Sequence, residues 1–165
     1  MQLTMRRILT TLTIIVCMSC FVQAKDGLPG WINKAGAQKV PKSKRVFSAN
    51  DFGAVGDGLV NSTKAIQKAI DQNALRGGIV TFKPGVYVTG ALFLKSNVHL
   101  RVDEGVTLTG SQDESDYPRI PTRVAGIEMP WFAGLINVNN AKNVMISGKG
   151  TIDGNGKKWW DKYWA

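Results

Sequence analysis

A short repeated pattern in the middle of the chain constrains its fold more than any other feature. The segment Gly85-Val-Tyr-Val-Thr-Gly90 recurs as Gly105-Val-Thr-Leu-Thr-Gly110 after 20 residues. The same offset places Val80 on Leu100, in a neighbouring apolar run. One offset that aligns two apolar runs together indicates a structural unit repeated along the chain.

A second offset, of 46 residues, extends the pattern towards the C-terminus. It aligns five positions with five later ones: Asn97, Val98, Leu100, Val106 and Gly110 fall on Asn143, Val144, Ile146, Ile152 and Gly156. We interpret 46 residues as two periods of about 20 to 25 residues, the length of a repeat in a solenoid protein.

The repeated units consist of short β-branched runs separated by Gly, Asn, Asp and Lys, which predict strands. The predicted strands are Ile79 to Phe82, Val86 to Thr89, Leu92 to Leu94, Val98 to Val102 and Val106 to Thr109. Leucine-rich repeats are excluded because their Leu frame is missing, and propeller blades are longer. A parallel β-helix remains, in which each coil of strands lies on the previous coil.

One helix is predicted, over residues 64 to 75. Asn61, Ser62 and Thr63 offer N-cap oxygens, and Gly77-Gly78 ends the helix. The residues that form its apolar stripe are Ala65, Ile66, Ala69 and Ile70. Such an amphipathic helix can cover the open end of the first coil, so we expect an all-β parallel β-helix with one N-terminal capping α-helix.

The N-terminus has the pattern of a secretory signal peptide. Arg6 and Arg7 precede an apolar run, and a small-residue site ends at Ala24, so we predict cleavage after Ala24. A lipid anchor at Cys20 is a second interpretation. Both predict a secreted or periplasmic protein. The predicted organisation is a signal peptide at 1–24, a basic lead-in segment at 25–45, and the cap and first coils at 46–165.

Composition then limits the chemistry of the mature chain. The sequence has 165 residues and a net charge of +9, and loss of two arginines with the signal leaves +7. Both cysteines, Cys17 and Cys20, also leave, so thiol chemistry is excluded and zinc ligation would depend on one histidine. No Asp-x-Asp spacing supports a calcium site, and we predict no cofactor and no metal. The scattered lysines match no nucleic-acid-binding fold, so we expect no nucleic-acid partner.

Several blocks together resemble the N-terminal portion of glycoside hydrolase family 28, the polygalacturonases. They are Phe47 to Gly58, Gly77 to Tyr87, Gly105 to Pro118, and Ile146 to Gly156 with Trp159-Trp160. The resemblance implies a right-handed parallel β-helix of the pectin lyase-like class. It also implies a secreted hydrolase that cleaves α-1,4-galacturonan of plant pectin with inversion, without a metal, as a monomer when full length.

The sequence departs from that family in its catalytic motifs. The strings Asn-Thr-Asp, Asp-Asp, Gly-His-Gly and Arg-Ile-Lys, which the resemblance leads one to expect, do not occur. We therefore interpret the chain as a fragment that lacks the catalytic coils, predict that it is inactive alone, and assign no catalytic residue. The alternatives are a pectate lyase-like enzyme and a non-catalytic glycan-binding β-helix such as an adhesin.

Five titratable residues are candidate catalysts. Asp113, Glu114 and Asp116 form a dense acidic cluster in which one pKa could be raised, but a polar loop between strands is the simpler interpretation. His99 alternates with apolar residues, so we expect it on the surface. Asp153 precedes Gly154 after a strand, which is turn chemistry.

The aromatic residues near the C-terminus leave two interpretations open. Trp131-Phe132, Trp159-Trp160, Tyr163 and Trp164 could stack against a sugar while Lys157, Lys158 or Lys162 binds its carboxylates. The same aromatic residues could instead pack between coils. The first interpretation would give the chain an acidic polysaccharide partner, in agreement with its positive charge.

Overall fold

We describe the protein from a computed structural model that covers residues 29–32 and 45–165. The chain divides into two compact units, Met1–Gln38 and Lys39–Ala165. The predicted signal peptide lies outside the described residues, as does most of the lead-in segment. Among the described residues, no helix is both long enough and apolar enough to cross a membrane.

The second unit consists mainly of short strands. Over residues 45–165 they are β1 Val46–Ser48, β2 Asp57–Asn61, β3 Gly78–Thr81, β4 Gly85–Thr89, β5 Leu92–Leu94, β6 Val98–Arg101, β7 Val106–Gly110, β8 Arg119–Val124, β9 Ile127–Phe132, β10 Ile136–Val138, β11 Met145–Ser147 and β12 Thr151–Asp153. The helices are α1 Thr63–Ala74 and α2 Lys157–Trp164, with 3-10 turns at Ala49–Phe52 and Glu114–Asp116. All five predicted strands are present.

Three parallel sheets run along the unit. Their orders are β1-β3-β6-β11, β2-β4-β7-β12 and β5-β10, while β8 and β9 form a separate antiparallel hairpin. Successive passes of the chain add one strand to the first sheet and one to the second. This arrangement of stacked coils is a parallel β-helix, so the predicted fold is confirmed.

The core lies inside the coils. Val98, Leu100 and Val102 are buried in it, because alternate residues of a strand face opposite sides. Leu100 lies in register between Val80 of the preceding coil and Ile146 of the following coil. The stacked apolar side chains of successive coils therefore form one continuous core.

The register of β4 on β7 corrects the first offset. Gly85 pairs with Val106 and Tyr87 with Leu108, an offset of 21 and not 20. The turn before β7 has one residue more than the turn before β4. A slip of one residue exchanges the two faces of a strand, so the sequence alignment paired exposed Val86 with buried Val106.

The second offset also has a different origin from the one predicted. β11 pairs directly with β6, with Met145 beside His99, so the 46 residues between them make one coil and not two. The hairpin of β8 and β9 lengthens this coil. The aligned asparagines do meet, because the Asn143 Nδ2 group donates to Asn97 Oδ1 at 3.0 Å.

Helix α1 covers the core as predicted. Ile66, Ala69 and Ile70 are fully buried and join the same apolar cluster as Val80 and Val98. Of the three residues that could cap the N-terminus of this helix, Asn61 supplies the accepting oxygen. Asn61 Oδ1 accepts hydrogen bonds from the Thr63 backbone N–H and hydroxyl, at 3.0 and 2.6 Å, whereas Ser62 bonds to Val55.

The hairpin and α2 are additions that the sequence interpretation missed. Ala125 and Gly126 form the two-residue turn of the hairpin, with positive φ angles of 49° and 86°. Pro121 lies opposite Pro130, and prolines are tolerated there because, within the described part of the chain, no third strand pairs with the hairpin. Both additions lie on the same side of the elongated coil and contribute the walls of one cavity.

Candidate functional site

An aromatic cavity of about 570 Å³ is the candidate site. Its walls come from the loop after β7, the two open ends of the hairpin, and α2. The residues that line it are Glu114, Tyr117, Arg119, Trp131, Phe132, Ala133, Leu135, Gly154, Trp159, Lys162 and Tyr163. The volume lies within the range of small-molecule sites in proteins.

Tyr117 anchors the floor of the cavity. Its hydroxyl donates a 2.8 Å hydrogen bond to the Ser111 carbonyl, and its ring meets Trp159 edge-to-face at 5.5 Å. Trp159 also contacts Phe132 at 5.4 Å between ring centroids. Burial, followed by the nearby Asp116 carboxylate, raises the pKa of Tyr117, so the phenol is neutral at neutral pH. These contacts join the rings of Tyr117, Trp159 and Phe132 into one aromatic floor.

Arg119 provides the positive charge of the cavity. Its guanidinium carbon lies 4.6 Å from the Phe132 ring centroid and 6.0 Å from that of Trp131. Register pairs Arg119 with Phe132 across the hairpin, which is why the cation lies over that ring. Over residues 29–32 and 45–165, no carboxylate lies within 4.0 Å of the Arg119 nitrogens. Its charge is therefore not neutralised by an ion pair there.

The other charged groups of the wall neutralise each other. Lys162 Nζ lies 2.7 Å from Glu114 Oε1. The two further lysines of α2 are also occupied, since Lys157 pairs with Asp161 at 2.6 Å and Lys158 donates to the Gln112 carbonyl at 2.8 Å. These three lysines therefore have partners within the protein, and binding of a sugar carboxylate by any of them stays a prediction.

A second aromatic surface continues from the cavity along α2. The Trp160 and Trp164 rings are parallel, 6.0 Å apart, and Tyr163 meets Trp164 edge-to-face at 4.9 Å. These three side chains are exposed. Together with Trp159 and Gly156 they line a depression of about 560 Å³ that shares Trp159 and Tyr163 with the cavity.

The two interpretations of the aromatic residues thus apply to different side chains. Trp159 and Phe132 are partly buried and pack on Tyr117 and Ala133, as inter-coil packing requires. Trp131 and Trp160 are exposed and offer faces to a ligand. The sequence could not separate them, because the division depends on a helix and a hairpin that were not predicted.

The acidic cluster is divided among separate partners. Asp116 Oδ2 accepts hydrogen bonds from Ser111 Oγ at 2.5 Å and Asn61 Nδ2 at 2.7 Å. Asp113 accepts from the Ser115 backbone N–H at 2.9 Å. Hydrogen bonds from Ser115 lower the pKa of Asp113, which is the opposite of the raised pKa that crowding would produce.

His99 is not on the surface, contrary to expectation. Only 9% of it is exposed, because β6 lies between β3 and β11 and the Ser147 hydroxyl contacts His99 Nε2 at 2.6 Å. Asp153 Oδ1 accepts the Asn155 N–H at 2.8 Å, the geometry of an Asx turn. Among the described residues, no group of three or more His, Cys, Asp or Glu side chains is placed to hold a metal ion.

Arg119 is the residue of this site that sequence reasoning missed. In the sequence it stands in Arg119-Ile120-Pro121, which departs from the family string Arg-Ile-Lys in its last residue. A signal was available, because Ala125-Gly126 between two runs with alternating apolar residues is consistent with a hairpin turn. The hairpin register would then have placed Arg119 opposite Phe132.

Comparison with known proteins places this fold in a family. Residues 46–147 match the family described as rhamnogalacturonase A/epimerase, pectate lyase-like. The chain belongs to this family. One similar solved structure is described as a hyperthermoactive exopolygalacturonase from Thermotoga maritima. It is 33% identical to this chain, with a TM-score of 0.66, and the match covers 74% of this chain and 27% of the other chain. The fold is accordingly a right-handed parallel β-helix, as predicted.

Two curated relatives indicate the range of functions near this chain. An exo-poly-alpha-D-galacturonosidase from Dickeya chrysanthemi is 41% identical over 127 residues, which is 72% of this chain and 20% of the relative. A plasmin and fibronectin-binding protein A from Streptococcus pneumoniae is 37% identical over 118 residues, 67% of this chain and 15% of the relative. The chain thus spans a fifth or less of the length of these two relatives. The resemblance to polygalacturonases is confirmed.

Proposed function

We propose that this chain provides the first coils of a glycoside hydrolase that cleaves α-1,4-linked galacturonan, the acidic polysaccharide of pectin, with inversion and without a metal. The observation that carries the proposal is the four-coil parallel β-helix together with 41% identity to a galacturonosidase over most of the chain. The aromatic cavity supports a carbohydrate ligand, since flat rings bind the apolar faces of sugars.

In this proposal the described residues bind substrate and do not catalyse its cleavage. An inverting glycosidase needs two carboxyl groups about 6.5 to 9.5 Å apart, one protonated and one ionised, on either side of the scissile bond. Glu114, Asp113 and Asp116 are occupied by the partners described above. The four expected catalytic and substrate-binding strings are absent from the sequence, and so the 165-residue chain alone should be inactive.

We further propose that the protein acts outside the cytoplasm as a monomer. The positively charged start and apolar run of residues 1–24, ending at Ala24, support export with cleavage there. The lead-in at 25–45 would then be the mature N-terminus. Export agrees with a plant polysaccharide as the substrate, since such a polymer is met outside the cell.

Two alternatives have specific support. The family description includes epimerases and a pectate lyase-like fold, so lysis or epimerisation of a polyuronide is the enzymatic alternative. The Streptococcus relative supports a non-catalytic binding protein. All the enzymatic candidates share an acidic sugar chain as substrate, whereas the binding protein requires no turnover.

The test compares the complete gene product that contains these residues with the 165-residue chain, on polygalacturonate. We expect the complete product to release reducing ends in the presence of a chelator, and proton NMR to show the inverted anomer first. The short chain should release none. An unsaturated product that absorbs in the near ultraviolet would indicate a lyase, altered sugar composition without cleavage an epimerase, and binding without turnover an adhesin.

A further inference from the structure

We propose that Arg119 is a specificity-determining residue that binds one free carboxylate of the glycan, with the sugar ring seated on the aromatic wall of the cavity. This inference rests on the proposed function, since it specifies how that acidic polysaccharide is recognised. It assigns the recognition to a position outside the expected motifs. It follows from the hairpin register, the charge of the cavity and the free donors of one guanidinium.

The guanidinium of Arg119 is held in place without losing its donors. Its carbon lies 4.6 Å from the Phe132 ring centroid, and the five N–H donors of a guanidinium lie in its own plane. Within residues 29–32 and 45–165, no hydrogen bond or ion pair engages those donors. An oriented fork of unused N–H groups matches a carboxylate, which can accept two parallel hydrogen bonds.

The charge balance of the wall favours an anion. Glu114 and Lys162 form an ion pair, so their charges compensate, and Arg119 leaves a net positive charge. The rest of the lining is mainly aromatic, and Arg119 is exposed, so a ligand can reach its guanidinium from solvent. A neutral sugar could use the rings but would leave the guanidinium unmatched. The site therefore fits a uronate better than a neutral sugar.

A methyl-esterified uronate should bind more weakly than the free acid. Esterification removes the negative charge and one of the two equivalent oxygen acceptors, so a bidentate, charge-assisted contact with Arg119 is lost. The exposed surface of Trp160 and Trp164 adjoins the cavity through Trp159 and can receive the next sugar. We therefore expect selectivity for de-esterified chains of at least two residues.

The experiment measures binding of trigalacturonate and its fully methyl-esterified form to the 165-residue chain, by calorimetry and by tryptophan fluorescence. The variants are Arg119→Gln and Arg119→Lys. Arg123→Gln is the matched control, because Arg123 lies on the same strand, is exposed, and donates to the Gly126 carbonyl away from the cavity. Circular dichroism and a thermal melt check that each variant is folded.

We expect Arg119→Gln to raise the Kd for trigalacturonate about tenfold, the loss of one charge-assisted contact. Arg119→Lys should give a smaller increase, because lysine keeps the charge but not the planar fork. Arg123→Gln should leave the Kd for trigalacturonate unchanged. The Kd for the methyl ester should be the same in the wild type and in the Arg119 variants. Four results would each overturn the proposal. They are equal Kd values for trigalacturonate in the wild type and Arg119→Gln, an equal loss of affinity in Arg123→Gln, equal affinity of the wild type for the acid and the ester, and absence of binding.

Failure of this inference and failure of the proposed function are separate results. Arg119-dependent binding of trigalacturonate without hydrolysis by the complete gene product would retain the site and reject the hydrolase. Hydrolysis with inversion together with Arg119-independent binding would retain the hydrolase and reject the role of Arg119.

Discussion

Replacement of Leu100 by alanine tests the stacking of coils. Leu100 is fully buried between Val80 and Ile146, in the middle strand of three neighbouring coils. The substitution removes three carbons, worth about 2.4 kcal/mol at roughly 0.8 kcal/mol for each buried group. A residual cavity between two flanking coils adds to this, so we expect a loss of about 3 to 4 kcal/mol in the free energy of unfolding.

Ile146→Ala is the matched control in the same ladder. It also removes three carbons, but Ile146 is 45% exposed, since it has Leu100 on one side only. Scaling the transfer energy by the buried fraction gives about 1.3 kcal/mol, with little cavity cost at an open surface. Leu100→Ala should therefore destabilise the chain by about 2 kcal/mol more than Ile146→Ala.

Urea unfolding followed by circular dichroism measures both values on the 165-residue chain, with equal m-values required for the comparison. Equal losses in the two variants would refute the reasoning. They would mean that Ile146 is covered to the same extent as Leu100, or that the two residues are not stacked in this register.

Three further predictions follow from the structure. Gly148→Ala should destabilise the chain by at least about 1 kcal/mol, because Gly148 has φ +113° and an added Cβ would overlap the Val102 carbonyl. An added Cβ at Gly154 meets open space, so Gly154→Ala should be nearly neutral in the same urea assay. An unchanged free energy of unfolding in Gly148→Ala would contradict this backbone conformation and the close approach of the Val102 carbonyl. Burial, followed by the nearby Arg101, lowers the pKa of His99. The contribution of neutral His99 to the free energy of unfolding is therefore complete above about pH 6.5, the ordinary pKa of histidine. This contribution is lost as the pH falls from there through the lower pKa of the folded state. The free energy of unfolding should thus fall from pH 7 to pH 5, less steeply in His99→Gln, and identical slopes would exclude His99 as the cause. Finally, added salt should weaken binding of trigalacturonate to the wild-type chain, since a charge contact is screened, and salt-independent binding would favour purely aromatic recognition.

The parts of the fold that the sequence predicted depend on local patterns. Alternation in Val98 to Val102 and the apolar stripe of α1 each reflect one element and its own buried face. Register between coils was less accessible, because it depends on turn length. One additional residue before β7 shifted the pairing of Gly85 to Val106, and sequence similarity alone favoured the wrong partner.

The candidate site depended on contacts between distant residues. Arg119 reaches Phe132 across a hairpin whose prolines weaken its strand pattern, and Trp159 reaches Tyr117 from a helix that was not predicted. The acidic residues Asp113, Glu114 and Asp116 were recognised as a cluster, yet their separate partners come from α2, the loop itself and Asn61. Composition could indicate an acidic ligand, but only the assembled walls identify the cation that faces it.

A crystal structure of the 165-residue chain with trigalacturonate tests the central claim most directly. We expect a parallel β-helix with Leu100 stacked between Val80 and Ile146, and one uronate carboxylate within hydrogen-bonding distance of two Arg119 nitrogens. A ligand bound elsewhere with the cavity empty, or an Arg119 side chain paired with a carboxylate of the protein, would contradict the account.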